Sequence, residues 1–428
     1  MTAAGTSTGR TSEGPSPAKQ VKIDLKATGL SAAELNKLVA GYIVEDMLPI
    51  STVDSESFRR IVEKIPTKHG VKLPQRKSFA GYLEREYDIM EANLKAALGD
   101  VDFVSTTADI WTVNNKSFMG VTVHWINSTL QRNKAALASS RSTLASEQVE
   151  EVSRRKLMVP TSTRWNSLYE AISRNITIPM NELNPPCVKL GIKCLNEREY
   201  LFLQEYRTVM KPLTVALDIL QGDECTYGAL LPTLTSLMSK TLALKDDLSR
   251  MTASLPDVIV KAVKIRFDAV LDSQEGLLAA ATCPEFKLGW LRDERRREHL
   301  KELLTTECRK AAPAADNANV SQLAASPAEM DFFDFENQPT ESFSAEKEIT
   351  DNLRSGYELE ILNQFPNLKK MYMKYNTPTP SSAPVERLFS LGGLVLSPKR
   401  NRLCDRRFEK LLLMRYNHCF TPKEKKNT

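Results

Sequence analysis

The sequence predicts an α+β fold that is mostly helical, and three observations carry that prediction. Apolar residues recur at helical spacing from Ser31 to Leu98 and again from Glu197 to about Lys310. Between these stretches, Val101 to Trp125 switches to the two-residue alternation of strands. Past a segment rich in Ala, Ser, Pro and acid, helical spacing returns from Asn352 to Cys419.

The elements follow in order. Residues 1–30 read as a disordered lead, rich in Ser, Thr, Gly and Pro, without the apolar stretch of a signal peptide. A helical module over 31–99 opens with Ser31-Ala-Ala-Glu34, a capping box, followed by Leu35, Leu38, Val39, Tyr42, Ile43 and Met47 until Pro49. A short helix around Ser55 to Val62 and a longer one from Ser78 to Leu98 complete it, with Gly99 placed to end it. Residues 100–145 predict strands over Val101 to Ile110, over Phe118 to Trp125 with Met119, Val121, Val123 and Trp125 on one face, and over Lys134 to Ser139; Asn114 and Asn115 supply the first turn.

Residues 146–310 predict a helical domain. Its stripes are Tyr206, Val209, Met210, Leu213, Leu217 and Leu220, then Leu230, Leu234, Leu237, Met238 and Leu244. Residues 311–346 cannot bury enough apolar surface to order themselves and read as a linker. Within it Asp331-Phe-Phe-Asp-Phe-Glu336 reads either as a short docking segment or as an incidental aromatic cluster. The last region, 347–420, predicts a helical unit from Asn352 to Tyr375, a helix with Pro384 in its first turn, and a final helix capped by Asp405 that carries Phe408, Leu411, Leu412, Tyr416 and Cys419 on one face. A basic tail, 421–428, follows.

Composition narrows the function classes. No run approaches the roughly 20 apolar residues of a membrane helix, so no membrane partner is expected. Seven scattered cysteines suit a reducing compartment and are expected as buried thiols. The four histidines stand singly and no Cys-x-x-Cys is present, so no zinc site is expected. The net charge of +5 is mild, but ten basic residues against three acidic ones between Lys399 and Lys426 could meet phosphates or an import receptor. For chemistry, Asp109 at the end of a predicted strand is the placement used to hold a divalent metal, with Glu386 as a distant partner; a strand-end Asp capping a turn is the structural alternative. Two-metal catalysis needs several convergent carboxylates, so one Asp cannot suffice.

Five segments in order then resemble the hAT transposase superfamily. They are Thr107-Ala-Asp-Ile-Trp-Thr112 with Phe118-Met-Gly-Val-Thr-Val-His-Trp125, Pro160-Thr-Ser-Thr-Arg-Trp-Asn-Ser167, and Ser382-Ala-Pro-Val-Glu-Arg-Leu-Phe-Ser390 with Lys399-Arg-Asn-Arg-Leu403. The BED-type zinc-finger branch is the nearest in pattern, with the finger itself absent, and Cys283-Pro-Glu-Phe-Lys287 resembles the family's Asp-Pro-Arg-Phe-Lys motif. The resemblance implies an RNase-H-like sheet interrupted by an α-helical insertion and closed by a C-terminal hAT dimerisation segment.

Matched motif by motif, Asp109 and Glu386 correspond to the first and last catalytic carboxylates. Arg164 and Trp165 correspond to the insertion's Arg-Trp pair, whose indole can stack on an unpaired base, although Trp165 also suits a core stripe with Leu168, Tyr169 and Ile172. Lys399, Arg400 and Arg402 are the candidate phosphate contacts, and Leu388, Phe389, Leu391, Leu411, Leu412 and Tyr416 the candidate dimerisation residues; intramolecular core is the alternative for these apolar positions.

One departure decides the expected function. No Asp occurs between Asp109 and Asp218, so the family's Thr-Asp-Asn strand and its carboxylate are missing, and Glu147, Glu150 and Glu151 sit in a context that reads as solvated helix. The catalytic core therefore reads as internally truncated, with an open sheet edge after the third strand that is either covered or an association hazard. The expectation is a catalytically inactive nuclear protein with no cofactor, at most a vestigial magnesium site. Its partners would be a second copy or related hAT proteins, with DNA bound weakly. The alternatives are an active metal-dependent transposase or nuclease, and a truncated product without independent activity.

Overall fold

The computed structural model describes residues 29–68, 70–113, 116–142, 169–170, 172–174, 176–189, 193–311, 345–396 and 403–420. The chain divides into two compact units, one ending at Glu86 and the other beginning at Tyr87. Among the described residues no helix is long and apolar enough to cross a membrane.

The first unit holds α1 (Ala32–Glu45), α2 (Glu56–Val62) and the first half of α3 (Arg76–Gly99). The capping box forms as expected: Glu34 N donates to Ser31 Oγ, and Ser31 N donates to the Glu34 carboxylate. Leu35, Val39 and Ile43 are buried at the predicted helical spacing, whereas Leu38 and Tyr42 are exposed and Tyr42 stacks on Phe58 at 5.7 Å.

The second unit contains an antiparallel sheet in the order β1 (Ser105–Val113), β2 (Lys116–Ile126), β3 (Arg132–Ser142). The first strand starts four residues later and ends three later than the sequence predicts. Cross-strand pairing of Trp111 with Phe118 and Thr112 with Ser117 extends it, while Val101 packs instead beside Leu94 and Trp125. Asp109 is consequently in the middle of β1, not at its end, and β1 is a border strand among the described residues. The predicted turn residues Asn114 and Asn115 lie outside the described residues.

Alternation along β2 gives the sheet two covered faces. Val123 and Trp125 are buried under Leu94 of α3, as the predicted face requires, but Met119 on the same face is 42% exposed. The opposite residues Phe118, Thr122 and His124 are buried too, as is Gly120, because C-terminal helices lie on that side.

Among the described residues this unit also holds α4 (Met180–Lys189), α5 (Glu197–Leu220), α6 (Leu230–Leu242), α7 (Leu255–Arg266), α8 (Asp268–Leu271), α9 (Gln274–Thr282) and α10 (Glu294–Ala311). They are followed by α11 (Ala345–Arg354), α12 (Pro366–Asn376), α13 (Ala383–Val395) and α14 (Asp405–Tyr416). Leu230, Leu234 and Leu237 pack with Ala216, Val263 and the half-buried Leu213 and Leu220, as the two stripes predict. A second core joins Leu278, Leu300, Leu304, Ile349, Leu368 and Met371 from α9 to α12 with Ile126 at the end of β2.

The helical unit expected from Asn352 to Tyr375 consists of the end of α11, a 3₁₀ turn, Leu359–Gln364, and α12. The break is stabilised by Lys287, the lysine of the Cys-Pro-Glu-Phe-Lys motif. Buried, with φ of +46°, it donates to the carbonyls of Asn352, Ser355 and Gly356 at 2.7–2.8 Å, so its charge meets the C-terminus of α11. Burial pushes the Lys287 ammonium below its ordinary range. On the other side, the Glu348 carboxylate accepts from the backbone N–H groups of Asn367 and Leu368 at the N-terminus of α12. At the far end Arg132 donates to the carbonyls of Asn376 and Thr377.

Two further expectations change. Cys283 and Cys308 are buried, but Cys404 and Cys419 are exposed. Asp405 is not the cap of α14: Cys404 holds that position, and Asp405 in the first turn pairs with Lys116 at 3.6 Å.

The third strand does not end in an open edge. Asn417, just past α14, donates to Ala136 O and accepts from Ala136 N, and Glu409 Oε1 accepts from Ser139 N at 3.1 Å. Residues 418–420 continue around that edge, placing the Phe420 ring 5.9 Å from Trp125 on the other face.

Candidate functional site

The two carboxylates singled out by sequence lie on β1 and on α13, the helix that packs against the sheet at Gly120. Asp109 lies opposite Gly120 in the β1–β2 register, so both point to the face that α13 covers. A Cβ built on Gly120 would meet Phe389 Cε1 at 2.6 Å and Val385 Cγ2 at 2.9 Å. Glycine at 120 is what lets α13 approach, and Glu386 follows Val385 directly on that helix. Asp109 and Glu386 are both exposed.

Each carboxylate is engaged locally. Asp109 Oδ1 accepts from the Ile110 backbone N–H at 2.8 Å, and Glu386 Oε1 accepts from Ser382 Oγ at 3.2 Å. Among the described residues no group of three or more His, Cys, Asp or Glu could hold a metal ion. Two carboxylates, one of them turned onto its own strand, do not fit a site for two divalent ions, which needs several shared ligands.

The proposed dimerisation residues have a different place from that expected of an interface. Leu388, Phe389, Leu411 and Leu412 are buried within the one chain: Phe389 stacks on Trp111 at 5.8 Å, and Phe408 lies 5.1 Å from Phe118. Each such side chain contributes about 1.5–3 kcal/mol by leaving water, so these helices are fixed to the sheet by their own core. Leu391 and Tyr416 are half-buried, and Tyr416 donates to Pro384 O, joining α14 to α13. Burial pushes the Tyr416 phenol up to about 12. An intermolecular face of this region has to draw on exposed residues such as Leu394, which is 69% exposed.

Arg164, Trp165, Lys399, Arg400 and Arg402 lie outside the described residues, as does the Asp331–Glu336 segment. The adjoining Arg406 and Arg407 on α14 are exposed.

The structure adds a polar junction that sequence reasoning missed. Arg387 donates to Gln221 O and to Asp223, which also accepts from Lys134 of β3. Burial alone would raise the Asp223 carboxyl, but the Lys134 hydrogen bond and the Lys134 and Arg387 charges hold it below its ordinary range. The junction ties α13, the sheet and the loop after α5 together. Sequence reasoning had no signal for it, because nothing local marks Asp223 as the partner of Arg387.

His124 lies beneath this junction. Its Nε2 is 3.0 Å from Thr122 Oγ1, and burial, reinforced by the nearby charges of Arg132, Lys134 and Arg387, pushes the imidazole down to about 4. An unfolded histidine takes up a proton near pH 6.5, and the folded one only near 4. The unfolded state therefore binds more protons between those values, and stability falls as the pH drops through that window, by about 3 kcal/mol in full. Urea midpoints measured at pH 7 and pH 4.5 should differ accordingly, and His124→Gln should flatten the slope.

Residues 357–418, from Tyr357 before α12 to His418 after α14, match the hAT family C-terminal dimerisation region. The match supports hAT family membership and takes in α12, α13 and α14; the sheet and helices α4 to α10 lie outside it. No curated protein matches the chain.

Proposed function

We propose that the chain is a transposase-derived protein of the nucleus that no longer cuts DNA and acts by dimerising through its C-terminal region. The match over residues 357–418 carries the reading. On this proposal β1 to β3 are the remaining strands of an RNase-H-like domain, residues 146–310 its helical insertion, and 347–420 the dimerisation segment, from the BED-type branch without its finger. Loss of catalysis rests on the sequence, which has no Asp between Asp109 and Asp218 to supply a middle carboxylate. Trp165 with Arg164, and Lys399, Arg400 and Arg402, would give weak, salt-sensitive affinity for DNA.

Light scattering behind size exclusion should give twice the 48.0 kDa chain mass at micromolar concentration, and a monomer there would end the dimer reading. The two motif carboxylates that remain, Asp109 and Glu386, keep a second reading, a metal-dependent nuclease. Mg²⁺- or Mn²⁺-dependent nicking that vanishes in Asp109→Ala and Glu386→Ala would establish it; the expected result is no nicking in any of the three chains. A truncated product with no function of its own would show no cooperative melting.

A further inference from the structure

A recess of the second unit is distinct from the carboxylate site and unused by the proposed function. It is a groove of about 1580 Å³ between α5, α6 and the 283–290 segment. That exceeds the roughly 300–1,000 Å³ of small-molecule sites and suits a length of polypeptide. Its walls are mainly apolar, including Pro212, Val215, Ile219, Phe286 and Trp290. Val215 and Ile219 are 45% and 47% exposed, an apolar pair left in contact with water on a helix whose other side is core.

Two polar features point to what would fill it. The Trp290 Nε1–H is buried with no hydrogen-bond partner among the described residues, an indole donor that an acceptor entering the groove would satisfy. Because α5 and α6 run antiparallel about the 221–229 turn, Lys211 and Lys240 fall at one end of the groove, and neither has an ion-pair partner among the described residues. The other end carries Glu224, Glu285 and Asp223, the last already neutralised by Lys134 and Arg387.

We propose that this groove receives the chain's own Asp331–Glu336 segment, with Phe332, Phe333 and Phe335 on the apolar wall and its carboxylates toward Lys211, Lys240 and Trp290 Nε1. The segment has the required chemistry, three aromatic rings among three acids in six residues. It also has the reach. It is tethered 20 residues after Ala311 and nine before Ala345, spans of up to roughly 65 and 30 Å. Both anchor residues belong to the core cluster that includes Phe286, Trp290, Leu359 and Tyr372 on the groove wall. Such a short tether gives a local concentration in the millimolar range, enough for a weak site to be filled.

Hydrogen exchange on the full chain tests the proposal. Amides of 331–336 should exchange about tenfold or more slowly than in the free peptide, unchanged on dilution. Val215→Asp with Ile219→Asp, both at exposed positions, should remove that protection while the core amides of α5 and α6 keep theirs. A synthetic peptide of residues 329–338 should bind the chain carrying Phe332→Ser, Phe333→Ser and Phe335→Ser, and not the parent, whose groove is filled. Exchange of 331–336 at the free-peptide rate, or equal peptide binding to both chains, overturns the proposal. Protection that grows with protein concentration overturns it as well, by placing the segment of a second copy in the groove.

Discussion

Replacing Gly120 with valine is expected to cost 3 kcal/mol or about that, and to detach α13 from the sheet. Even the single methyl of Gly120→Ala would enter within 2.6–2.9 Å of Phe389 and Val385, distances that carbon atoms do not sustain, so one side must move. The helix cannot yield freely. Phe389 is held against Trp111, Tyr416 fixes the first turn through Pro384 O, and Arg387 is bound to Gln221 and Asp223. β2 cannot yield either, because its other face packs Val123 and Trp125 on Leu94.

The strain should appear as a lower urea midpoint and altered near-ultraviolet circular dichroism from Trp111. Pairing Gly120→Ala with Phe389→Leu should recover part of the loss, since the two sites share one volume and their effects are not additive. Two independent, additive losses would show that Gly120 is not the contact that seats α13.

The reason Gly120 was legible only as part of a motif also explains which parts of the fold sequence could deliver. Helical spacing found α1, α3, α5, α6 and α13 because each buries a stripe of its own, and the Ser31–Glu34 capping box is complete within four residues. Alternation found β2 but could not reveal that Phe118, Gly120, Thr122 and His124 are covered as well, because their cover lies about 270 residues downstream.

Helical spacing did not locate the break between α11 and α12 for a similar reason. It is determined by the Lys287 ammonium, which arrives from a distant turn to cap α11. Of the candidate site, the ordered motifs named Asp109 and Glu386 but did not fix how the two lie in space. The burial of Leu388, Phe389, Leu411 and Leu412 was not decided, since an apolar face reads the same whether its partner is the chain's own sheet or a second copy.

That ambiguity gives Asn417→Leu its interest, the substitution expected to have the second large effect. The Asn417 amide donates to Ala136 O at 2.8 Å and accepts from Ala136 N at 2.7 Å, with Asn417 and Ala136 both buried. Leucine is close in size but offers neither group, so a buried N–H and a buried C=O lose their partners together, at roughly 1–3 kcal/mol each. Water cannot compensate while α14 remains in place. The relief available is for α14 and residues 418–420 to swing away, exposing the β3 edge that Glu409 and Asn417 had closed.

An exposed strand edge pairs with another, so the variant should combine a lower unfolding midpoint with concentration-dependent association into species without fixed stoichiometry. A native dimer built on the C-terminal region would instead hold one mass across the same concentration range. Light scattering on parent and variant therefore separates the two kinds of association. If Asn417→Leu kept the parent's mass distribution and midpoint, the covering of β3 by the C-terminal helix would not be what protects this sheet.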